Sequence, residues 1–194
     1  SSSFTINVAH VNRSPVIDDI APQAVNENLN LTFSITGSDP DTEDEGKLAF
    51  RATGMPEGAQ FDGQTGEFSW IPTFVQAGEY KINFVISDPS GLTDTKEAVL
   101  TVSHVNRKPV LAAVDAQSVN ENTELKIQLS GTDPDAEDSG KLEYLAEGMP
   151  EGAAIDGATG LITWTPTFDQ SGEYNFDARV FDGNYADTQS VKIT

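Results

Sequence analysis

Apolar and polar residues alternate with a period of two in "LTFSITGS" (31–38) and again in "LKIQLSGT" (125–132). A longer run, "YKINFVISD" (80–88), puts Tyr80, Ile82, Phe84 and Ile86 on one face, and "YNFDARVFD" (174–182) does the same with Tyr174, Phe176, Ala178 and Val180. Side chains of an extended chain point to opposite faces in turn, so this period predicts strands with one face in a core. Gly, Pro, Asn and Asp interrupt the pattern at close intervals, and no stretch holds a helical period. Short strands with such turns predict an all-β chain of Greek-key β-sandwiches.

The pattern occurs twice. "HVNRSPV" (10–16) returns as "HVNRKPV" (104–110), an offset of 94 residues, and the same offset superposes "QAVNEN" on "QSVNEN", "GMPEGA" on "GMPEGA" and "WIPTFVQAGEY" on "WTPTFDQSGEY". This is a tandem duplication of a unit with the length of one small β domain. The expected division is a repeat over 13–106 and a second over 107–194, joined by short Pro-ended linkers that should be stiff. "FTINVAHVNR" (4–13) superposes on "AVLTVSHVNR" (98–107), the end of the first repeat. Residues 1–12 therefore read as the last strand of a preceding repeat, and the chain as a slice of a longer array; the other reading is an ordinary first strand. With Phe4, Ile6 and Val8 on one face, residues 4–10 are expected to pair with a neighbouring chain in strand exchange or to lie against the first repeat.

Composition narrows the chemistry. Thirty-one acidic residues against 11 Lys and Arg give a net charge of −20. Such a polyanion repels nucleic acid and anionic lipid and attracts cations. There is no Cys, which removes disulfides, thiolate metal sites and a thiol nucleophile, and two His make a zinc site a poor fit. No apolar run approaches a membrane span, so no membrane insertion is expected. No metalloprotease helix motif, nucleophile elbow or P-loop is present, and no enzyme is expected.

Several repeated residues read as fold-building. Trp70 and Trp164 stand in short strands two residues before a Pro and are expected in the cores, the alternative being a sugar-stacking platform. Tyr80 and Tyr174 suit a tyrosine corner. Asp62 and Asp156 suit turns, and His10 and His104 suit junction packing. The acidic loops "GSDPDTEDEGKL" (37–48) and "GTDPDAEDSGKL" (131–142) are different. Each concentrates acids in one loop: Asp39, Asp41, Glu43 and Asp44, then Asp133, Asp135, Glu137 and Asp138. Calcium takes about 6–8 oxygen ligands, and alternation after a strand would let Asp39 and Asp41 converge. The EF-hand pattern fails, because Asp44 and Asp138 occupy the position of its Gly and Phe50 and Tyr144 that of its last Glu. One loop cannot complete a shell, so partners are needed: Glu27 and Glu121 in "VNEN", Asp88 and Asp182 at the ends of the long strands, Asn12 and Asn106 in the linkers. The alternative is a solvated acidic turn.

"VNEN", "DPD", "DGxTGxxxWxPTxxQxGEY", the strand-ending Asp and "VNR(S/K)P", in that order, resemble the bacterial cadherin-like and Ig-like repeats of large surface proteins, the dystroglycan-type cadherin-like family. The resemblance covers nearly the whole unit twice. It implies tandem Ig-like or cadherin-like sandwiches in a secreted bacterial protein, extracellular or at the cell surface. It also implies Ca²⁺ between domains, held by Glu27, Asn106, Asp133, Asp135 and Asp182, with Asn12, Asp39, Asp41 and Asp88 playing those parts upstream. The linker departs from the family: Arg13 and Arg107 stand where an acid is expected.

Three functions are open to such a chain. A stalk or adhesion array stiffened by calcium and contacting neighbouring repeats or another cell-surface protein follows from the repetition. A carbohydrate-binding module would take polysaccharide on exposed aromatics, for which Phe181 and Tyr185 are the candidates. Catalysis has no motif to carry it.

Overall fold

The computed structural model describes residues 3–138 and 140–194. The chain forms two compact units, Ser1–Val105 and Asn106–Thr194, and both are built from strands. Among the described residues the one helical piece is a 3-10 turn, Ala136–Asp138.

The first unit contains β1 (Val16–Ile17), β2 (Gln23–Asn26), β3 (Leu31–Ser34), β4 (Gly37–Ser38), β5 (Ala49–Thr53), β6 (Gln60–Phe61), β7 (Glu67–Trp70), β8 (Gly78–Ser87) and β9 (Thr93–Ser103). One sheet runs β2-β9-β8-β5, the other β3-β7-β6, and β1 pairs with β4. The chain crosses between sheets repeatedly, as a Greek key requires. Alternation along β8 buries Ile82, Phe84 and Ile86, and β9 adds Ala98, Leu100 and Val102. Leu31, Phe68 and Trp70 come from the facing sheet to complete the core. Strand β2 runs parallel to β9, with Val25 opposite Val102.

The second unit repeats this plan with β10 (Val110–Leu111), β11 (Leu125–Gln128), β12 (Gly131–Thr132), β13 (Glu143–Glu147), β14 (Ala154–Ile155), β15 (Leu161–Trp164), β16 (Tyr174–Phe181) and β17 (Ala186–Ile193). Its sheets are β13-β16-β17 and β11-β15-β14, with β10 on β12, around Ile127, Ile162, Trp164, Phe176, Val180 and Ile193.

The fold-building residues behave as expected. Trp70 and Trp164 are buried, and each indole N–H donates to the backbone of the "MPEGA" turn, at Glu57 O (3.2 Å) and Glu151 O (3.1 Å). Tyr80 and Tyr174 hydroxyls donate to Gln76 O and Gln170 O at 2.9 and 3.0 Å. Each also meets its Trp edge-on, with centroids 4.9 Å apart. Asp62 and Asp156 accept from backbone N–H groups of their own turns, which holds both carboxyls below their ordinary pKa. Gly66 has φ +73° and lies against the backbone of Ile35, so a side chain there would meet both strain and a clash. The stretch from Phe4 to Val11 enters no sheet among the described residues, and Phe4, Ile6 and Val8 are 85%, 73% and 89% exposed.

Candidate functional site

The acidic loop leaves the sheet after β4 and turns at once. Asp39 Oδ1 accepts from the Asp41 N–H at 2.8 Å, and Asp44 N donates to Asp41 O at 2.9 Å. In a turn the period of two is lost, so Asp39 and Asp41 diverge instead of converging.

Asp41 points to the linker. Its carboxylate accepts from Arg13 N (2.7 Å), Nε (2.8 Å) and Nη2 (2.6 Å). The Arg13 Nη2 also reaches Pro40 O, and His10 Nε2 lies 3.4 Å from Asp41 and 3.2 Å from Glu43. The Arg13 N–H, opposing burial, and then its guanidinium hold the Asp41 carboxyl below the usual range. The second unit copies this: Asp135 accepts from Arg107 N at 2.6 Å and Nε at 2.7 Å. The arginines that broke the linker pattern are thus the partners of Asp41 and Asp135, and the two central acids of "DPD" pin the linker to the loop.

Asp39 turns the other way. Its carboxylate oxygens, with those of Asp44 and Asp88, form a cluster in which one oxygen from each lies within 4.8 Å of the others. Asp44 and Asp88 are buried, and Asp39 Oδ2 is buried with no hydrogen-bond partner. Burial, Asp39, Asp88 and Glu43 push the Asp44 carboxyl up, with Lys47 opposing. Burial would also raise Asp88, but the Asn12 side-chain amide (2.7 Å) and the N–H groups of Leu92, Gly91 and Ser90 outweigh it, so Asp88 lies below its ordinary value. Three hard anionic oxygens and an adjacent amide suit a hard cation such as calcium, and the orphaned buried oxygen of Asp39 is one that such an ion would satisfy.

In the second unit, Asp133 Oδ2 is likewise buried and unpartnered. Asn106 Nδ2 donates to Asp182 Oδ2 at 3.1 Å, while Asn184 and Tyr185 N–H groups bind its Oδ1 at 2.6 Å each. These bonds, against burial, hold Asp182 below the ordinary range. Asp44 is among the loop acids but outside the ligand set that the cadherin-like resemblance implies, and alternation would have set Asp41, not Asp44, beside Asp39; the turn-forming "PDTED" composition is the signal against alternation.

Glu27 lies elsewhere, 2% exposed. It accepts from Ala77 N (3.1 Å) and Val105 N (2.8 Å), with His104 Nδ1 at 3.1 Å, all within its own unit. Phe181 is half-buried at the end of β16, and Tyr185 is exposed in the following hairpin.

This combination of sandwiches, loops and linkers defines a tandem Ig-like, cadherin-like repeat module. The family described as Putative Ig domain matches residues 14–103 and 108–194, and the chain belongs to that family, in two tandem copies. Among solved structures it is similar to mouse Cadherin-23 EC22-24, with TM-score 0.60 and 21% identity over 93% of this chain and 63% of that one. It is also similar to human CDH23 EC21-23, with TM-score 0.62 and 17% identity over the same shares. At these identities the likeness is one of fold. A curated relative, Integrin beta-like protein A of Dictyostelium discoideum, is 24% identical over 159 residues, covering 70% of this chain and 8% of that protein. The chain thus spans under a tenth of that relative. Among the described residues no helix is long and apolar enough to cross a membrane.

Proposed function

We propose that the chain is a non-catalytic, extracellular array module of a large bacterial surface or secreted protein, acting as an adhesion stalk whose repeats bind calcium at their acidic loops. The observation that carries this reading is the Asp39, Asp44 and Asp88 cluster with its unpartnered buried oxygen and the Asn12 amide beside it. Asp39, Asp44 and Asp88 would hold the ion in repeat 1, and Asp133, Asp138 and Asp182 are their sequence counterparts in repeat 2. Bound calcium would neutralise the mutual repulsion of these carboxylates and tie the acidic loop to the strand end. From the linker, Asn12 reaches Asp88 at the strand end and Arg13 reaches Asp41 in the acidic loop, so tying loop and strand end together also fixes the linker.

Asp44 allows a test with a worked sign. Its folded pKa is raised, so its ionisation opposes folding. The penalty is absent below the ordinary carboxylate pKa and complete once pH exceeds the raised value. Stripped of metal at neutral pH, Asp44→Asn should therefore melt higher than the parent chain and should lose most of its response to calcium. Calorimetric titration of the parent should show binding at roughly 10⁻⁴–10⁻³ M, with affinity falling as pH drops through the Asp44 transition. At millimolar calcium the melting temperature should rise by about 2–6 °C. No heat and no shift in the parent would overturn the calcium reading.

A further inference from the structure

In repeat 1 the strand nearest the way in and the strand nearest the way out run in the same direction. Strand β2 pairs in parallel with β9, Gln23 opposite Leu100, Ala24 opposite Thr101, Val25 opposite Val102 and Asn26 opposite Ser103. The chain reaches β2 from the linker that carries Arg13, and it leaves β9 for the linker that carries Arg107. Tension drawn through the two linkers therefore pulls β2 back past Gln23 and β9 onward past Ser103. In a parallel pair those pulls oppose each other along one axis. The strands must slide, and the backbone bonds between them are strained together. The β8–β9 hairpin is different. Its antiparallel register sets Gly78 opposite Val102, so a pull on its open end parts the bonds one after another.

The parallel pairing is prolonged where the chain leaves. Glu27, the residue after β2, donates its N–H to Ser103 O at 3.0 Å. One carboxylate oxygen accepts from Val105 N at 2.8 Å, with His104 Nδ1 at 3.1 Å. The other accepts from Ala77 N at 3.1 Å, which anchors the side chain to the residue before β8. Glu27 is buried, so water competes little for these bonds. The backbone pairing ends at Ser103, and this carboxylate supplies the next rung. At the entrance, β1 is held by its pairing with β4 and by the Ile17 N–H, which donates to Asp94 Oδ2 on β9 at 3.0 Å.

We infer that repeat 1 bears tension along the chain, with the parallel β2–β9 pair as a shear clamp and the Glu27 carboxylate as the lock on its exit side. The inference rests on the stalk reading for the direction of the load. It gives a task to a buried carboxylate that lies apart from the acidic cluster and fastens the ends of β2 and β9 to the start of β8.

The chain has no Cys, so introduced thiols give defined handles for optical tweezers on the full chain in metal-free buffer. Ser14→Cys with Lys108→Cys loads repeat 1 from linker to linker. Glu79→Cys with Lys108→Cys loads the open end of the hairpin. Ser14, Glu79, Ser103 and Lys108 are all exposed, so the handles should leave the fold intact. At equal force, unfolding should be at least about tenfold slower from linker to linker, because several backbone bonds must fail together. Equal rates in the two geometries would overturn the clamp. Glu27→Gln replaces the charged acceptor with a neutral amide and should speed linker-to-linker unfolding by about tenfold. With Ser103→Cys in place of Lys108→Cys, the Val105 bond lies outside the loaded segment, and Glu27→Gln should then have a clearly smaller effect. The same acceleration in both would mean that Glu27 only stabilises the fold, and would overturn its role as lock. Because no calcium is present, a failed calcium titration would leave the clamp standing, and equal rates in the two geometries would leave the calcium reading standing.

Discussion

The two repeats share their turns and acidic ends nearly residue for residue, yet their cores are filled differently. In repeat 1, Phe33, Phe68 and Phe84 pack on one another with centroids 4.9–6.2 Å apart, and Phe61 joins Phe84 at 5.3 Å. The counterparts in repeat 2 are Ile127, Ile162, Ala178 and Ile155. Both cores close, with Phe84 and Ala178 each at 0% exposure. A sandwich interior therefore accepts a large change of volume when the alternation is kept and neighbours adjust together. The Asp-to-backbone, Asp-to-Arg and Tyr-to-backbone bonds have fixed lengths and directions, and these are the positions that coincide between repeats.

If the aromatic cluster is a cooperative unit, the largest effect comes from removing its hub. Phe84→Ala should destabilise repeat 1 by about 3–5 kcal/mol, the cost of emptying a buried aromatic site. The reciprocal Ala178→Phe should cost repeat 2 about 1–3 kcal/mol through overpacking against Ile127 and Ile162. Each repeat holds one of the two Trp residues, so Trp→Phe at the other position lets urea unfolding followed by fluorescence report the two separately. Equal losses at the two sites would mean the cores are packed alike after all.

This contrast also explains what could be read from the chain before its structure. The strands β8 and β16, both tyrosine corners and both core tryptophans follow from local rules: a period of two, a residue just after a Gly-containing turn, an apolar ring in a strand. The site followed only in part. Asp39, Asp88 and Asn12 were picked out, but Asp44 was not paired with them, and Asp41 was placed beside Asp39. Alternation governs strands, and the chain leaves the strand after Ser38. The destination of Glu27 was hidden for another reason. Its partners Ala77, His104 and Val105 lie at least 50 positions away, and no local pattern carries a contact of that range. The arginines were misleading alone: a cation in an acidic linker argued against a metal, whereas its charge is taken up by Asp41.

A smaller effect separates pinning by arginine from the cluster beside it. The folded-state pKa of Asp41 is depressed, so its contribution to stability is complete above the ordinary carboxylate pKa near 4 and is lost as pH falls through the lower folded value. Arg13→Ala removes the guanidinium's share of that margin and keeps the backbone N–H. In a Trp164→Phe background, the acid unfolding of repeat 1 should then begin at higher pH. The parallel variant Arg107→Ala should leave the Trp70 transition where it was. An unchanged acid midpoint in Arg13→Ala would mean that the guanidinium contacts to Asp41 contribute nothing to holding the linker.

The smallest predicted effect concerns what the repeats have most in common. Tyr80→Phe and Tyr174→Phe each remove one hydroxyl bond to backbone, at 2.9 and 3.0 Å, and leave the ring against its Trp. A neutral hydrogen bond of this kind contributes about 1 kcal/mol. Because the ring contacts match as well, the two losses should agree within about 0.5 kcal/mol in urea unfolding, the usual tolerance for independent sites. The cores around them differ in kind, so agreement would show that the corner acts on its own loop and is insulated from how the interior is filled. A markedly larger loss in repeat 1 would instead tie the corner to the aromatic cluster, through Trp70 and the strand that carries Phe84.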